Sequence, residues 1–158
     1  MTTKTAEVVR KSITVDAPLE RAFEVFTSGM TSWWPLDTHH IGEQDAKEVV
    51  VEPRSGGRWF ERAADGTECE WGRILAWDAP DRVVFGWHLG PEWKYDPDPA
   101  KSTEVEVRFI SEDATRTRVE VEHRGFEVHG DRADELRIPV AGEGGWSGLL
   151  ERFANAAA

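Results

Sequence analysis

His39 and His40 are adjacent in the chain, and Glu43 and Asp45 follow closely. Imidazole and carboxylate groups are common metal ligands. Adjacent histidines project in different directions, however, and the HExxH spacing that would place two imidazoles on one helix face is absent. We therefore interpret this segment as a solvated loop and predict neither a metal site nor a cofactor.

The nucleophiles in the sequence have no partners that would activate them. Cys69 is the single cysteine, which excludes an intrachain disulfide and a cysteine zinc cluster. No serine lies in a GxSxG turn, and the glycine pairs at 56–57 and 144–145 lack the spacing and the lysine of a phosphate loop. We predict no catalytic residue and interpret Cys69 as a half-buried strand residue.

Eight tryptophans are the most distinctive feature of the composition. Each can bury about 150–250 Å², so together they either fill an aromatic core or line a cavity. Trp33 and Trp34 occupy an irregular segment, where we expect one of the two to line a pocket. Trp59, Trp71 and Trp93 are weaker candidates, because no clean alternation assigns the faces of their segments.

Length and charge restrict what the chain can be. Its 158 residues fit one domain, and 39% apolar with 31% charged residues is a globular composition. A formal net charge of −11 opposes binding to nucleic acid and to anionic membranes. The first eleven residues lack the apolar stretch of a secretory signal and no run is long enough to span a membrane, so we expect a cytoplasmic protein.

The first quarter of the chain predicts a strand followed by helices. Lys4–Val15 alternates in its second half, which is typical of a strand. A capping Asp16, a proline and an apolar stripe at helical spacing then predict a helix over Pro18–Thr27. Met30–Ile41 should form a second helical turn and an irregular loop.

The remainder of the sequence predicts a meander of strands followed by a helix. Short turn sequences separate the runs and favour antiparallel neighbours. The predicted strands are Glu48–Val51, Gly57–Arg62, Glu68–Trp77, Arg82–His88, Thr103–Ile110 and Thr117–His123. From Trp146, helical spacing of Leu149, Leu150 and Phe153 predicts an amphipathic helix whose apolar stripe covers the sheet.

The last two strands alternate most clearly. One face carries mainly valines and should be core, whereas Glu104, Glu106, Glu120 and Glu122 should form a solvated face. His123 shares the valine face. It is either a buried histidine satisfied by a hydrogen bond or a group that contacts a ligand.

Four segments in the expected order resemble the START-like SRPBCC superfamily, and more narrowly the branch named after the activator of the heat-shock-protein-90 ATPase. They are ITVDAPLERAFEVF (13–26), GRILAWDAPDRVVFGW (72–87), TRVEVEHRGF (117–126) and GWSGLLERF (145–153). The resemblance implies one domain over residues 1–158 with an α+β helix-grip fold. In this fold a curved antiparallel β-sheet wraps around a long C-terminal helix, and two short helices follow the first strand.

The resemblance also implies an apolar cavity between the sheet and the C-terminal helix that binds a small hydrophobic or aromatic molecule. The predicted ligand-binding residues are Trp33, Trp34, Phe85, Trp87, Phe109, Val121, His123, Trp146, Leu149 and Phe153. Two alternatives stay open: a cochaperone-like module with a chaperone partner, which a lone domain makes the weaker expectation, and a cyclase- or hydrolase-like enzyme that uses the cavity. The sequence leans against catalysis, and it leaves a homodimer open.

Overall fold

Seven antiparallel strands form one sheet in this computed structural model, which describes residues 8–158. Residues 4–7 of the predicted first strand lie outside the described residues. The strand order is β1-β7-β6-β5-β4-β3-β2. Strands β2 to β7 form the antiparallel meander that the short turns predicted, and β1 pairs with β7. The strands are β1 Val9–Val15, β2 Ala46–Val51, β3 Arg58–Ala63, β4 Glu68–Asp78, β5 Arg82–Trp87, β6 Thr103–Asp113 and β7 Arg116–Arg124.

Within residues 8–158, three helices and three 3-10 turns complete the fold. Helix α1 spans Leu19–Phe26 and is followed by a 3-10 turn at Met30–Ser32. These are the two short helices that the sequence predicted after the first strand. Helix α3, Trp146–Ala157, is the predicted C-terminal helix, and it packs on β1 and α1. The helix-grip prediction is therefore confirmed.

Aromatic side chains fill the space between the sheet and α3. Phe26 of α1 lies 5.0 Å from Phe153 of α3 and 5.7 Å from Phe109 of β6, measured between ring centroids. Arg152 fixes the helix further, because its Nε donates to the Trp33 carbonyl at 2.9 Å. This part of the helix thus rests on packed aromatic core.

The outer face of the sheet corrects one expectation. Glu106 was expected on a solvated face, but only 4% of it is exposed. Arg82, Arg108 and Arg124 cover its carboxylate with hydrogen bonds of 2.6–3.2 Å. Burial alone would raise the pKa of Glu106, but the hydrogen bonds from Arg82 and Arg124 outweigh it and hold the pKa at about 2.

Two elements between β7 and α3 were not predicted. A 3-10 turn, Phe126–Arg132, leads into helix α2, Ala133–Ala141. Helix α2 contains Pro139 and leaves Ile138 60% exposed, so its apolar spacing is weak. Within residues 8–158, no helix has the length and apolar character needed to cross a membrane.

Candidate ligand-binding site

A cavity of about 540 Å³ opens at the N-terminal end of α3. It lies between β4 and β5 of the sheet, the end of α2, and the loops around residues 38–41 and 142–145. Its volume falls within the range of about 300–1,000 Å³ that is usual for small-molecule sites. Five of the eight tryptophans contribute to the wall: Trp34, Trp71, Trp87, Trp93 and Trp146.

A buried carboxylate positions one wall of the cavity. Glu61 on β3 is 2% exposed, and its Oε1 accepts hydrogen bonds from the Ile41 backbone N–H at 2.6 Å and from the Trp71 indole at 2.7 Å. Its Oε2 accepts from the Gly42 N–H at 3.2 Å. One side chain thereby anchors the loop over residues 38–41 and orients an aromatic wall residue.

His39 connects two loops across the cavity. Its Nε2 donates to the Gly144 carbonyl at 2.6 Å, and its Nδ1 pairs with the Thr38 hydroxyl at 2.7 Å. The glycine-rich loop must approach α2 closely, since a Cβ on Gly145 would lie only 2.2 Å from the Val140 carbonyl oxygen. The glycines thus permit a tight entry into α3 that brings Trp146 to the cavity.

His123 lies behind the wall, fully buried. Its Nδ1 accepts from the Trp146 indole at 3.1 Å, and its Nε2 pairs with the Thr103 hydroxyl at 2.8 Å. Because Nδ1 accepts, Nε2 carries the proton and donates to Thr103. Burial lowers the pKa of His123 to about 3, so the ring is neutral at physiological pH. Of the two interpretations left open, this is the hydrogen-bonded core histidine.

The structure divides the predicted ligand-binding residues into two groups. Trp34, Trp87, Trp146 and Leu149 line the cavity. The others lie in the packed core outside its lining: Trp33, Phe85, Phe109, Val121, His123 and Phe153. Of the pair at 33–34, Trp33 instead directs its indole to the Val25 carbonyl at 2.9 Å. A role in ligand binding stays a prediction for all ten.

Several wall residues carried no clear sequence signal. Trp71 and Trp93 had been ranked as weaker candidates, and Leu89 and the end of α2 were not considered. Glu61 was missed as well, although a carboxylate between Phe60 and Arg62 in a predicted strand is a visible signal. Each of these residues depends on contacts between distant segments.

The cavity lining is neutral apart from histidine. His39 and His40 contribute to it, and no Asp, Glu, Lys or Arg of the described chain does. No group of three or more His, Cys, Asp or Glu within residues 8–158 could hold a metal ion. Burial, together with nearby Glu61, raises the pKa of the Cys69 thiol, which disfavours a reactive thiolate.

Comparison with known protein families identifies the family to which this chain belongs. The family model described as Activator of Hsp90 ATPase homolog 1-like protein matches residues 16–158. The chain belongs to this family. The SRPBCC resemblance of the sequence is thereby confirmed.

Two solved structures of related proteins are similar to this Activator of Hsp90 ATPase homolog 1-like domain over nearly the full length of both chains. Txn09, an anthrahydroquino-γ-pyrone synthase complexed with a compound abbreviated SUM, is 38% identical with a TM-score of 0.67, covering 98% of this chain and 99% of its own. CalC from Micromonospora echinospora, a self-sacrificing resistance protein, is 34% identical with a TM-score of 0.70, covering 95% and 93%.

A third structure shares the fold alone. The Aha1 dimer from Colwellia psychrerythraea is 13% identical with a TM-score of 0.62, covering 96% of each chain. A search of curated proteins gave no significant match to the chain.

Proposed function

We propose that this protein binds a small aromatic molecule in the cavity at the N-terminal end of α3. The observation that carries the proposal is the wall of five tryptophans around about 540 Å³. Aromatic rings favour offset and edge-to-face contacts, so flat ring systems gain contact with several walls at once. The core fills the rest of the space between the sheet and α3, which restricts the ligand to this end of the helix.

The relatives support the same class of ligand. Txn09 is named as an anthrahydroquino-γ-pyrone synthase, and an anthrahydroquino-γ-pyrone is a fused aromatic ring system. Similarity at 38% identity over nearly both chains supports a related cavity here.

Native mass spectrometry of the purified protein tests the proposal directly. It should be combined with quenching of tryptophan fluorescence by fatty acids, sterols and flat aromatic compounds. We expect a retained mass or saturable quenching, strongest with the flat aromatics. A ligand-free mass and no saturable quenching by any compound would contradict a binding function.

A pair of variants locates the binding site. Leu149 lines the cavity from α3, so Leu149→Trp should fill the cavity and abolish binding. Ile110→Trp is the control, because it adds the same side chain at a site that is 43% exposed and outside the cavity lining. Equal binding by both variants would place the ligand elsewhere.

An enzyme that rearranges a bound aromatic molecule is the second candidate. The name of Txn09 as a synthase favours it, and so does the presence of His39 and His40 in the cavity wall, since histidine is the commonest general acid or base. Conversion of a bound compound into a product of different mass, lost in His39→Asn with binding retained, would support catalysis. A chaperone partner and a homodimer remain predictions from the sequence.

A further inference from the structure

The hydrogen bonding of the buried tryptophans distinguishes Trp87 from the rest. Six tryptophans are buried, and Trp87 is 4% exposed. Five of the six indole N–H groups donate to protein atoms at 2.7–3.4 Å. Their acceptors are Val25 O, His39 O, Met30 Sδ, Glu61 Oε1 and His123 Nδ1. The Trp87 Nε1 atom is buried and has no partner in the described structure.

Buried donors without acceptors are costly, and such atoms are rare in folded proteins. Within residues 8–158, three buried side-chain nitrogens lack a partner, and they belong to His40, Trp87 and His129. Two of these three residues, His40 and Trp87, line the cavity. Two of the three residues with unpartnered buried nitrogens therefore lie at the proposed ligand site, and the atoms that cover these nitrogens must move aside for a ligand oxygen to reach them.

Neighbouring residues hold Trp87 firmly in this position. Its ring centroid lies 5.0 Å from His123 and 5.7 Å from Trp59, and its backbone pairs with Thr103 on β6 and Gly72 on β4. Gly72 permits this pairing, because a Cβ there would lie 1.7 Å from the Gly86 carbonyl oxygen. A ring packed in this way keeps its N–H in a fixed place, which suits it for recognition.

The absence of charge in the described lining restricts the ligand further. With no Lys or Arg among the described lining residues, a carboxylate or phosphate would find no permanent positive charge there. Trp87 can only donate a hydrogen bond, and His40 Nδ1 donates in one tautomer and accepts in the other. A neutral oxygen, such as a carbonyl or hydroxyl group on an aromatic ring, satisfies both nitrogens.

We propose that Trp87 and His40 form a polar subsite that selects neutral, oxygen-substituted aromatic molecules, of quinone or phenol type, over the corresponding hydrocarbons. This inference rests on the proposed function and makes it more specific. Trp87 Nε1–H donates to a ring oxygen, and His40 Nδ1 binds a second oxygen or its hydroxyl hydrogen. The tryptophan walls supply contact area, and the subsite fixes which ring edge enters.

Anthracene and 9,10-anthraquinone test the subsite, since they share one ring skeleton and differ by two carbonyl oxygens. Equilibrium dialysis at ligand concentrations below the aqueous solubility of each compound, with the ligand quantified by chromatography, measures both affinities without using tryptophan fluorescence. We expect wild-type protein to bind anthraquinone roughly 10-fold more tightly than anthracene, as two modest hydrogen bonds imply. Equal affinities would overturn the subsite and leave the proposed function standing, whereas no binding of either compound would overturn both.

Variants separate the hydrogen bond from the loss of volume. Trp87→Phe should weaken anthraquinone binding about three- to tenfold beyond any change for anthracene, so the ratio of the two affinities falls. Trp146→Phe is the matched control, because that buried indole also lines the cavity but already donates to His123. Its affinity ratio should stay at the wild-type value.

His40→Leu provides an independent variant at a half-buried site, where folding is less at risk. It should also lower the ratio, by about threefold or more. Unchanged ratios in both Trp87→Phe and His40→Leu, with folding verified by circular dichroism, would overturn the subsite. An equal fall in Trp146→Phe would overturn it too, by showing that ring size rather than the free N–H sets the preference.

Discussion

His123 is a predicted site residue that the structure places in the hydrogen-bonded core, outside the cavity lining. It shares a strand face with valines, yet both ring nitrogens are used by Thr103 and Trp146. The neighbours in contact with the ring, Trp87 and Phe126 among them, are uncharged. Its contribution is to hold the Trp146 indole against the cavity and to remain neutral.

This buried imidazole makes stability depend on pH. The pKa of His123 is about 3 in the folded protein, below the roughly 6.5 of an unfolded chain. The unfolded state therefore binds the proton first, and stability is complete above about pH 6.5 and falls towards pH 3, by up to about 1.4 kcal/mol per pH unit. Urea unfolding at pH 7.5, 6.0 and 5.0 measures this slope.

Two variants assign that slope to the imidazole. His123→Gln should be less stable than wild type at pH 7.5, but its unfolding free energy should fall much less as the pH is lowered to 5.0. Thr103→Val removes the hydrogen-bond partner and should keep the decline. A residual slope is expected from His129, whose pKa is lowered by burial and by nearby Lys101 and Arg132. An unchanged slope in His123→Gln would refute the assignment.

Trp93 is a wall residue whose loss should affect the stability of the protein little. It is 41% exposed and adopts φ of 61°, a left-handed conformation that costs free energy for a bulky residue. Trp93→Gly should therefore change the free energy of unfolding by less than about 1 kcal/mol, because strain relief offsets lost contacts. It should lower the binding affinity for aromatic ligands roughly fivefold, as expected for one lost ring contact.

Dialysis and urea unfolding, performed on the same preparations, separate these two effects. Trp93→Tyr should keep most of the affinity, because it retains an aromatic ring. Wild-type affinity in Trp93→Gly would show that this side chain makes no ligand contact.

At the scale of elements, the sequence predicted the strands where one face is apolar and the other polar. Strands β6 and β7 alternate in this way, and their pairing places Val107 opposite Val121 in the core. Strand β3 was predicted, but which of its faces points to the core could not be assigned in advance. Its outer face carries Phe60, buried beneath the guanidinium groups of Arg58 and Arg62, so apolar residues occupy both faces.

Helix α2 and the cavity were beyond sequence reasoning for a related reason. An exposed Ile138 and an internal Pro139 obscure the helical period of α2. The cavity forms where α2, two loops and two strands meet, and no local pattern records that meeting. Recognition of the superfamily supplied the general position of a cavity, but not its limitation to one end of α3.

The anchoring of the 38–41 loop to β3 gives a prediction at this scale. Glu61→Ala would leave three donors, Ile41 N–H, Gly42 N–H and the Trp71 indole, without their acceptor. We expect a loss of about 2–4 kcal/mol in unfolding free energy and weaker binding of aromatic ligands. Urea unfolding with hydrogen exchange measures both the stability and the opening of the loop.

Glu120→Ala is the matched control, because it also removes a strand carboxylate, but one whose ion-pair partner, Arg118, is solvent-exposed. Such a surface pair contributes about 0–1 kcal/mol. Exchange protection at residues 41 and 42 that survives in Glu61→Ala would show that the loop is held by other contacts.

The whole molecule combines a strongly acidic surface with a cavity that lacks full charges. The chain has a net charge of −11, while no Asp, Glu, Lys or Arg of the described chain lines the cavity. The surface repels anions, and the cavity offers an anion no permanent positive charge. Both effects act in the same direction, so the proposed ligand is expected to be a neutral molecule.

A charged analogue of one ligand tests this selection. Anthraquinone-2-carboxylate should bind at least tenfold more weakly than 9,10-anthraquinone, because its carboxylate must stay hydrated at the cavity mouth or lose its hydration inside. Raising the salt concentration from 20 to 500 mM should strengthen binding of the carboxylate by screening the surface charge and leave the neutral compound nearly unchanged. Equilibrium dialysis at both salt concentrations measures the two affinities. Tight binding of the carboxylate that weakens with salt would contradict the prediction, because it would require attraction by a cation at the site.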